Sequence, residues 1–79
     1  MTAKELKEII AQCMDEVYFS YGGVACGVCS EVDDFKPVFT LWCGQKTQDF
    51  HDVDDVMAVK FFNGKSLNDL VGNITVEIA

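Results

Sequence analysis

The sequence has few basic residues and no long apolar run. Its 79 residues include six lysines and arginines against 13 aspartates and glutamates, which gives a formal net charge of −7. Nucleic-acid binding needs a basic face, and anionic lipid headgroups repel an acidic chain, so we expect neither nucleic acid nor a membrane among the partners. The apolar runs are also too short for a membrane span, which needs about 20 residues.

The N-terminal residues lack the pattern of a secretory signal. Lys4, Glu5, Lys7 and Glu8 stand where the apolar part of a signal peptide would begin. We therefore expect a cytoplasmic protein whose four cysteines are reduced thiols. The sequence also lacks repeats, low-complexity tracts and linker-like composition, and it predicts a single domain over residues 1–79.

A helical pattern opens the chain. Thr2 and Glu5 fit a capping box, and Gly22-Gly23 supplies a stop signal after a series of apolar residues. The spacing predicts a helix over residues 3–20. Its apolar face would carry Leu6, Ile9, Ile10, Cys13, Val17 and Tyr21.

The middle of the chain follows an alternation typical of strands. Residues 24–32 predict a first strand, and the aromatic and β-branched residues 38–43 predict a second. A turn containing Pro37 separates them, and Gly44-Gln45 allows a tight reversal into a third strand over residues 46–50. These segments predict a three-stranded meander.

The C-terminal third predicts short helices and a last strand. Asp52 is suited to cap a second helix, and Ser66 with Asp69 is suited to cap a third that ends before Gly72. Residues 75–78 predict a terminal strand. An alternative makes residues 58–62 and 65–67 a hairpin around Asn63-Gly64, a dipeptide that favours a type I′ turn.

The element order α-β-β-β-α-(α)-β predicts an α+β fold, in which helices cover one face of a small, mostly antiparallel sheet. The second strand offers two apolar sets for the buried face. One set is Phe39, Leu41 and Cys43, and the other is Val38, Thr40 and Trp42. The second face of the sheet is therefore a candidate subunit interface.

One constellation has the residue types of a zinc site. Cys26, Cys29, Cys43 and His51 follow the spacing C-x2-C-x13-C-x7-H, and three cysteines with one histidine are an established zinc set. In a regular strand Cys26 and Cys29 point to opposite faces unless Gly27 supports a bulge. The alternative, which we favour, is that the thiols fill a core as small apolar groups.

Cys26-Gly27-Val28-Cys29 also resembles the C-G-x-C redox motif of thioredoxin-like proteins. That motif follows a strand and opens a helix, whereas here a predicted helix precedes it and acidic residues follow it. Neighbouring acids raise a thiol pKa instead of lowering it. The resemblance implies a thiol-disulfide function without the usual structural context.

The sequence shows no catalytic constellation and implies no cofactor. It favours a small acidic, non-enzymatic protein that binds another protein or forms a homodimer. Large aromatic residues dominate interface energetics, and the candidate anchors are Phe39, Trp42, Phe61 and Phe62. The alternatives are a structural zinc or thiol-redox protein built on the cysteine cluster, and an acidic decoy that mimics nucleic acid.

Overall fold

The computed structural model describes residues 1–12 and 15–79, which form an antiparallel sheet with helices packed on one side. In chain order the elements are α1 (Ala3–Ala11), β1 (Val17–Tyr21), β2 (Val24–Asp33), β3 (Lys36–Cys43), β4 (Lys46–Phe50), α2 (Val53–Ala58), α3 (Leu67–Leu70), a 3₁₀ turn (Val71–Asn73) and β5 (Glu77–Ile78). The strand order across the sheet is β4-β3-β2-β1-β5. The predicted α+β class is confirmed.

The N-terminal helix is shorter than predicted, and a strand occupies part of its expected range. α1 ends at Ala11, and β1 then pairs with β2 along its whole length. Residues four apart, such as Val17 and Tyr21, lie on one face of a helix and also on one face of a strand, so their spacing fits both. Phe19 is buried as Val17 is, which fits the two-residue period of a strand. The meander therefore has four strands, and Cys13, predicted on the helix face, lies outside the described residues.

The three strands predicted for the middle of the chain are present at nearly their expected bounds. The turn between β2 and β3 is unusual, because Asp34 and Phe35 both have positive φ, at 51° and 64°. Aspartate tolerates this conformation, whereas a bulky residue adopts it rarely. Phe35 is also 97% exposed, so an aromatic ring stands in solvent at the tip of the longest hairpin.

Side-chain caps begin the helices as the sequence predicts. Thr2 and Glu5 form the capping box of α1, Asp52 accepts from the Asp54 backbone N–H at 2.8 Å, and Ser66 with Asp69 forms a second capping box. The hairpin alternative is also partly correct. Asn63 and Gly64 have positive φ, and a single bridge joins the residues on either side, Phe62 and Lys65.

The helices cover one face of the sheet. Leu6 and Ile10 from α1 are fully buried, and they belong to the same core cluster as the alternate strand residues Val17, Val28 and Leu41. Each such side chain contributes about 1.5–3 kcal/mol when it leaves water. Of the two sets weighed for the central strand, the one containing Phe39 and Leu41 faces the core. Within residues 1–12 and 15–79, no helix is both long and apolar enough to cross a bilayer.

Candidate functional site

The second face of the sheet carries a row of residues that crosses all its strands. Strand pairing aligns this row in the order Glu77, Tyr18, Gly27, Trp42 and Thr47. Side chains alternate along a strand, so the row points away from the buried side chains of the core. The other strand residues whose side chains point the same way belong to the same surface, which we call the open face. The helices do not cover the side chains of the open face.

An aromatic strip occupies the centre of the open face. Tyr18 and Trp42 flank Gly27, with ring centroids 6.1 Å apart and an interplanar angle of 70°. A Cβ atom at Gly27 would lie 2.7 Å from Trp42 Cζ2 and would overlap the Val17 carbonyl oxygen. The indole therefore packs directly on the glycine backbone. We use "aromatic strip" for Tyr18, Gly27 and Trp42.

Carboxylates border the aromatic strip. In the described part of the chain, strand alternation places one lysine, Lys36, on the open face against four acids, Glu31, Asp33, Asp49 and Glu77. A fifth acid, Glu16, precedes β1 and reaches this face through its contact with Tyr18. The Tyr18 hydroxyl donates a hydrogen bond to Glu16, which raises the pKa of that hydroxyl. The Thr40 hydroxyl donates to Asp49 Oδ1 at 2.7 Å. The open face is consequently negative around an apolar centre.

Cys29 lies on the open face, opposite Thr40 in strand β3. Burial and the charge of Glu16 raise the pKa of its thiol, and Glu31 adds to this effect, while a hydrogen bond with Trp42 opposes it. A raised pKa keeps the sulfur protonated at neutral pH, whereas metal binding and nucleophilic attack need the thiolate. Cys29 is therefore poorly suited to both.

A groove of about 500 Å³ opens beside the aromatic strip, between β1 and residues 73–77. β5 pairs with Val17 and Tyr18 of β1 and with no later residue of that strand, so the chain before β5 diverges from the sheet. The volume lies within the range of about 300–1,000 Å³ typical of ligand sites. We call this feature the edge groove. Its lining includes Tyr18, Ser20, Trp42, Asn73, Thr75 and Glu77.

The structure does not bring the four predicted zinc ligands together. Cys26 and Cys43 meet on the core side of the sheet, whereas Cys29 lies on the open face, because β2 pairs with β3 without a bulge. His51 follows β4, and its Nδ1 lies 3.2 Å from the Pro37 carbonyl oxygen. The residues that the structure describes contain no group of three or more His, Cys, Asp or Glu able to hold a metal ion.

Cys26 and Cys43 are placed as a cross-strand disulfide pair. They are directly opposite in β2 and β3, with Cα atoms 4.0 Å apart. This pairing differs from the expectation of separate thiols. That expectation rested on the expected cytoplasmic location, which does not indicate which cysteines lie next to each other in the fold. It also differs from the C-G-x-C interpretation, because Cys29 is not the partner of Cys26.

One cysteine of the pair is accessible from a smaller cavity. Cys26 is fully buried, while Cys43 is half-buried and lines a cavity of about 230 Å³. Lys46 pairs with Cys43 across the β3–β4 hairpin and lines the same cavity. The Lys46 ammonium donates to the Phe61 carbonyl oxygen at 3.1 Å and lies 4.5 Å from the Phe61 ring centroid.

Of the four predicted interface anchors, Trp42 is the one on the open face. Phe39, Phe61 and Phe62 are at most 4% exposed and belong to the core. Alternation directs Phe39 toward the helices, and Phe62 packs edge-to-face against Phe19 with centroids 5.7 Å apart. These three side chains hold the sheet and the helical layer together and are not presented at the surface.

Tyr18 and Glu77 were not predicted as site residues. The predicted helix included Tyr18, so its position on a sheet face was not anticipated. The signal that was available is the alternation of Val17, Phe19 and Tyr21, which are β-branched or aromatic residues with strand preference. Glu77 lies in the site because β5 pairs with β1 and places Glu77 opposite Tyr18. The two residues are far apart in the sequence, so their spacing does not indicate this contact.

Comparisons with protein-family models, curated proteins and solved structures found no match to this chain. Its function is therefore inferred from its own residues.

Proposed function

We propose that this chain is a non-enzymatic cytoplasmic protein that binds a basic segment of another protein on its open face. The observation that carries the proposal is the aromatic strip bordered by carboxylates. Tyrosine and tryptophan are the residue types that most often supply binding energy at interfaces. Carboxylates around them attract lysine and arginine, exclude acidic partners and accelerate encounter.

A second copy of the chain fits this surface less well than a basic partner. A homodimer through the open face would bring its five carboxylates toward the same five groups of the other copy. Like-charge juxtaposition at an interface costs several kcal/mol. The decoy function expected from the acidity is a special case of the proposal, in which the basic segment belongs to a nucleic-acid-binding protein.

Amide chemical-shift mapping tests the proposal. The isotope-labelled chain is titrated with a heptapeptide of alternating glycine and lysine, and separately with the same peptide built from glutamate. We expect the lysine peptide to shift the amides of Tyr18, Cys29 and Trp42, with weaker binding at high salt because the attraction is electrostatic. Shifts confined to α1 and α2, or equal effects of both peptides, would contradict the proposal.

Paired charge variants locate the binding surface. Glu31→Gln with Asp49→Asn removes two charges from the open face, and Glu8→Gln with Asp55→Asn removes two from the helices. We expect the first pair to weaken lysine-peptide binding severalfold and the second to change it by less than about twofold. Equal effects would mean that net charge, and not the open face, attracts the peptide. A concentration-dependent dimer that buries Trp42 would replace the proposal with self-association.

The Cys26–Cys43 pair supports a second candidate function, reversible thiol-disulfide exchange. In a reducing cytoplasm the pair would rest as two thiols. A small disulfide such as glutathione disulfide would accept two electrons and two protons from them and leave as two thiols. The partly exposed sulfur of Cys43, with Lys46 opposite it, is the one placed to react first.

Mass spectrometry of the chain equilibrated in glutathione buffers tests this second candidate. We expect a form lighter by two hydrogens, whose digest links Cys26 to Cys43. Cys29→Ser should retain this form, whereas Cys43→Ser should lose it. Persistent thiols in an oxidising buffer, or a linkage through Cys29, would exclude the exchange function.

A further inference from the structure

We propose that the edge groove is the subsite for one cationic side chain, a lysine or arginine of the bound basic segment. This inference rests on the proposed function and names the part of the open face that selects the ligand. The supporting observations are the residues that line the groove, the charge of that lining, and the position of the groove where the pairing between β1 and β5 ends.

Two aromatic rings contribute to the walls of the groove. Tyr18 and Trp42 both line it and meet edge-to-face, so their π surfaces face different directions around one volume. Aromatic faces carry partial negative charge and attract ammonium and guanidinium groups. The aliphatic stem of a lysine or arginine would also pack on the rings, which is how long cationic side chains use apolar surface.

Charge and polar groups complete the recognition. The carboxylate of Glu77 borders the groove, and Glu16 accepts the hydrogen bond from the hydroxyl of Tyr18. Ser20, Asn73 and Thr75 supply hydroxyl and amide oxygens that can accept hydrogen bonds from a cation. The described lining includes no lysine, so a cation entering the groove meets carboxylates and acceptors without a competing positive charge.

The edge of β1 provides a place for the backbone of the segment. β5 pairs with Val17 and Tyr18, and among residues 1–12 and 15–79 no strand pairs with residues 19–21 on that side. An unpaired strand edge binds extended peptides through main-chain hydrogen bonds. An extended segment at this edge would have its side chains beside the groove, so the edge and the groove can be used together.

The titration that tests this inference uses the alternating glycine-lysine heptapeptide and the same peptide with every lysine acetylated. Acetylation keeps the length and removes the positive charge. Trp42 is the sole tryptophan, so its emission reports binding at the aromatic strip or in the groove, and the amides of residues 73–77 report the groove itself. We expect the lysine peptide to change the emission and to shift the amides of residues 73–77, and the acetylated peptide to do neither.

Two variants of matched charge test the role of the groove. Glu77→Gln removes the carboxylate at the groove, and Glu8→Gln makes the same change on α1. We expect Glu77→Gln to weaken lysine-peptide binding about fivefold and Glu8→Gln to leave it within about twofold. Tyr18→Leu should weaken binding further, with circular dichroism checking its fold. Glu77→Gln keeps the test decisive where Tyr18→Leu does not fold.

The outcomes separate this inference from the proposed function. Peptide binding that shifts Thr47 and Asp49 but not residues 73–77, with equal effects of Glu77→Gln and Glu8→Gln, would overturn the groove subsite and leave open-face binding intact. No binding of the lysine peptide to the open face would overturn both. Binding that is lost on acetylation and weakened by Glu77→Gln supports both.

Discussion

The indole ring of Trp42 packs on the backbone of Gly27, where a Cβ atom would lie 2.7 Å from indole Cζ2. We expect Gly27→Ala to lower the free energy of unfolding by about 1–3 kcal/mol, because the methyl group has no space between the indole and the backbone of β1. Urea unfolding followed by Trp42 emission measures the loss. Gly72→Ala is the control, since a Cβ there meets nothing within 4 Å. A change at Gly27 no larger than at Gly72 would contradict the packing.

The turn between β2 and β3 predicts a stabilising substitution. Phe35 has a φ of 64° and is 97% exposed, so its ring provides little packing while its Cβ is strained. We expect Phe35→Gly to raise the free energy of unfolding by about 1 kcal/mol. Phe35→Ala is the matched control, because it removes the ring but keeps the Cβ. Equal stability of the two variants would show that backbone strain is not the cause.

The second capping box makes stability depend on pH. Hydrogen bonds from Ser66, with a further one from Lys60, lower the pKa of Asp69 from 3.8 to about 2. Because the folded-state pKa is the lower one, this contribution is complete above about pH 4 and is lost as the pH falls toward 2. We expect Asp69→Asn to flatten the pH dependence of unfolding in that window. Lys60→Met should move the loss to higher pH, and an unchanged profile in both variants would exclude this role.

The environment of Cys29 predicts slow alkylation. Burial raises the pKa of its thiol, and the charge of Glu16 adds to the effect. In a chain where the other cysteines are serine, the rate with iodoacetamide should rise with pH, with a midpoint above that of a model thiol. Glu16→Gln should increase the rate at a fixed pH, whereas Glu8→Gln, a similar change on α1, should not. A faster reaction than that of a model thiol would contradict the assignment.

Local signals in the sequence predicted the caps and most strands correctly. Thr2, Asp52 and Ser66 carry side chains that satisfy backbone N–H groups within two or three residues, so their effect does not depend on the rest of the fold. The alternation over residues 24–50 likewise depends on neighbours along the strand. The helix caps and these strands could therefore be predicted from the sequence alone.

The first strand could not be predicted securely, because its pattern satisfies two periods. Val17 and Tyr21 fit a helical face and a strand face, and Phe19 is the residue that decides between them. The glycine pair that follows ends a helix or a strand equally well. Sheet pairing with β2 then determines the outcome, and this is a tertiary effect that overrides the local pattern.

The candidate site depends on relationships across strands that spacing in the sequence does not reveal. Trp42 was identified as an anchor, but its neighbours Gly27 and Tyr18 are brought to it by strand pairing. The same is true of the cysteines. The distance from Cys26 to Cys29 in the sequence is short, yet Cys43 is the residue that pairs with Cys26.

The order of strands in the sheet has a consequence for how the chain folds. β1 to β4 are neighbours in the sheet and consecutive in the sequence, so each of their pairings closes only a short loop. β5 pairs with β1, from which most of the chain separates it in sequence. Pairings with short loops form earlier, and a two-residue pairing at the edge opens first. We expect amide hydrogen exchange to be fastest in β5 and slowest in β2 and β3. Since opening of β5 would widen the edge groove, a bound cation should slow exchange at this edge while leaving the central hairpin unchanged.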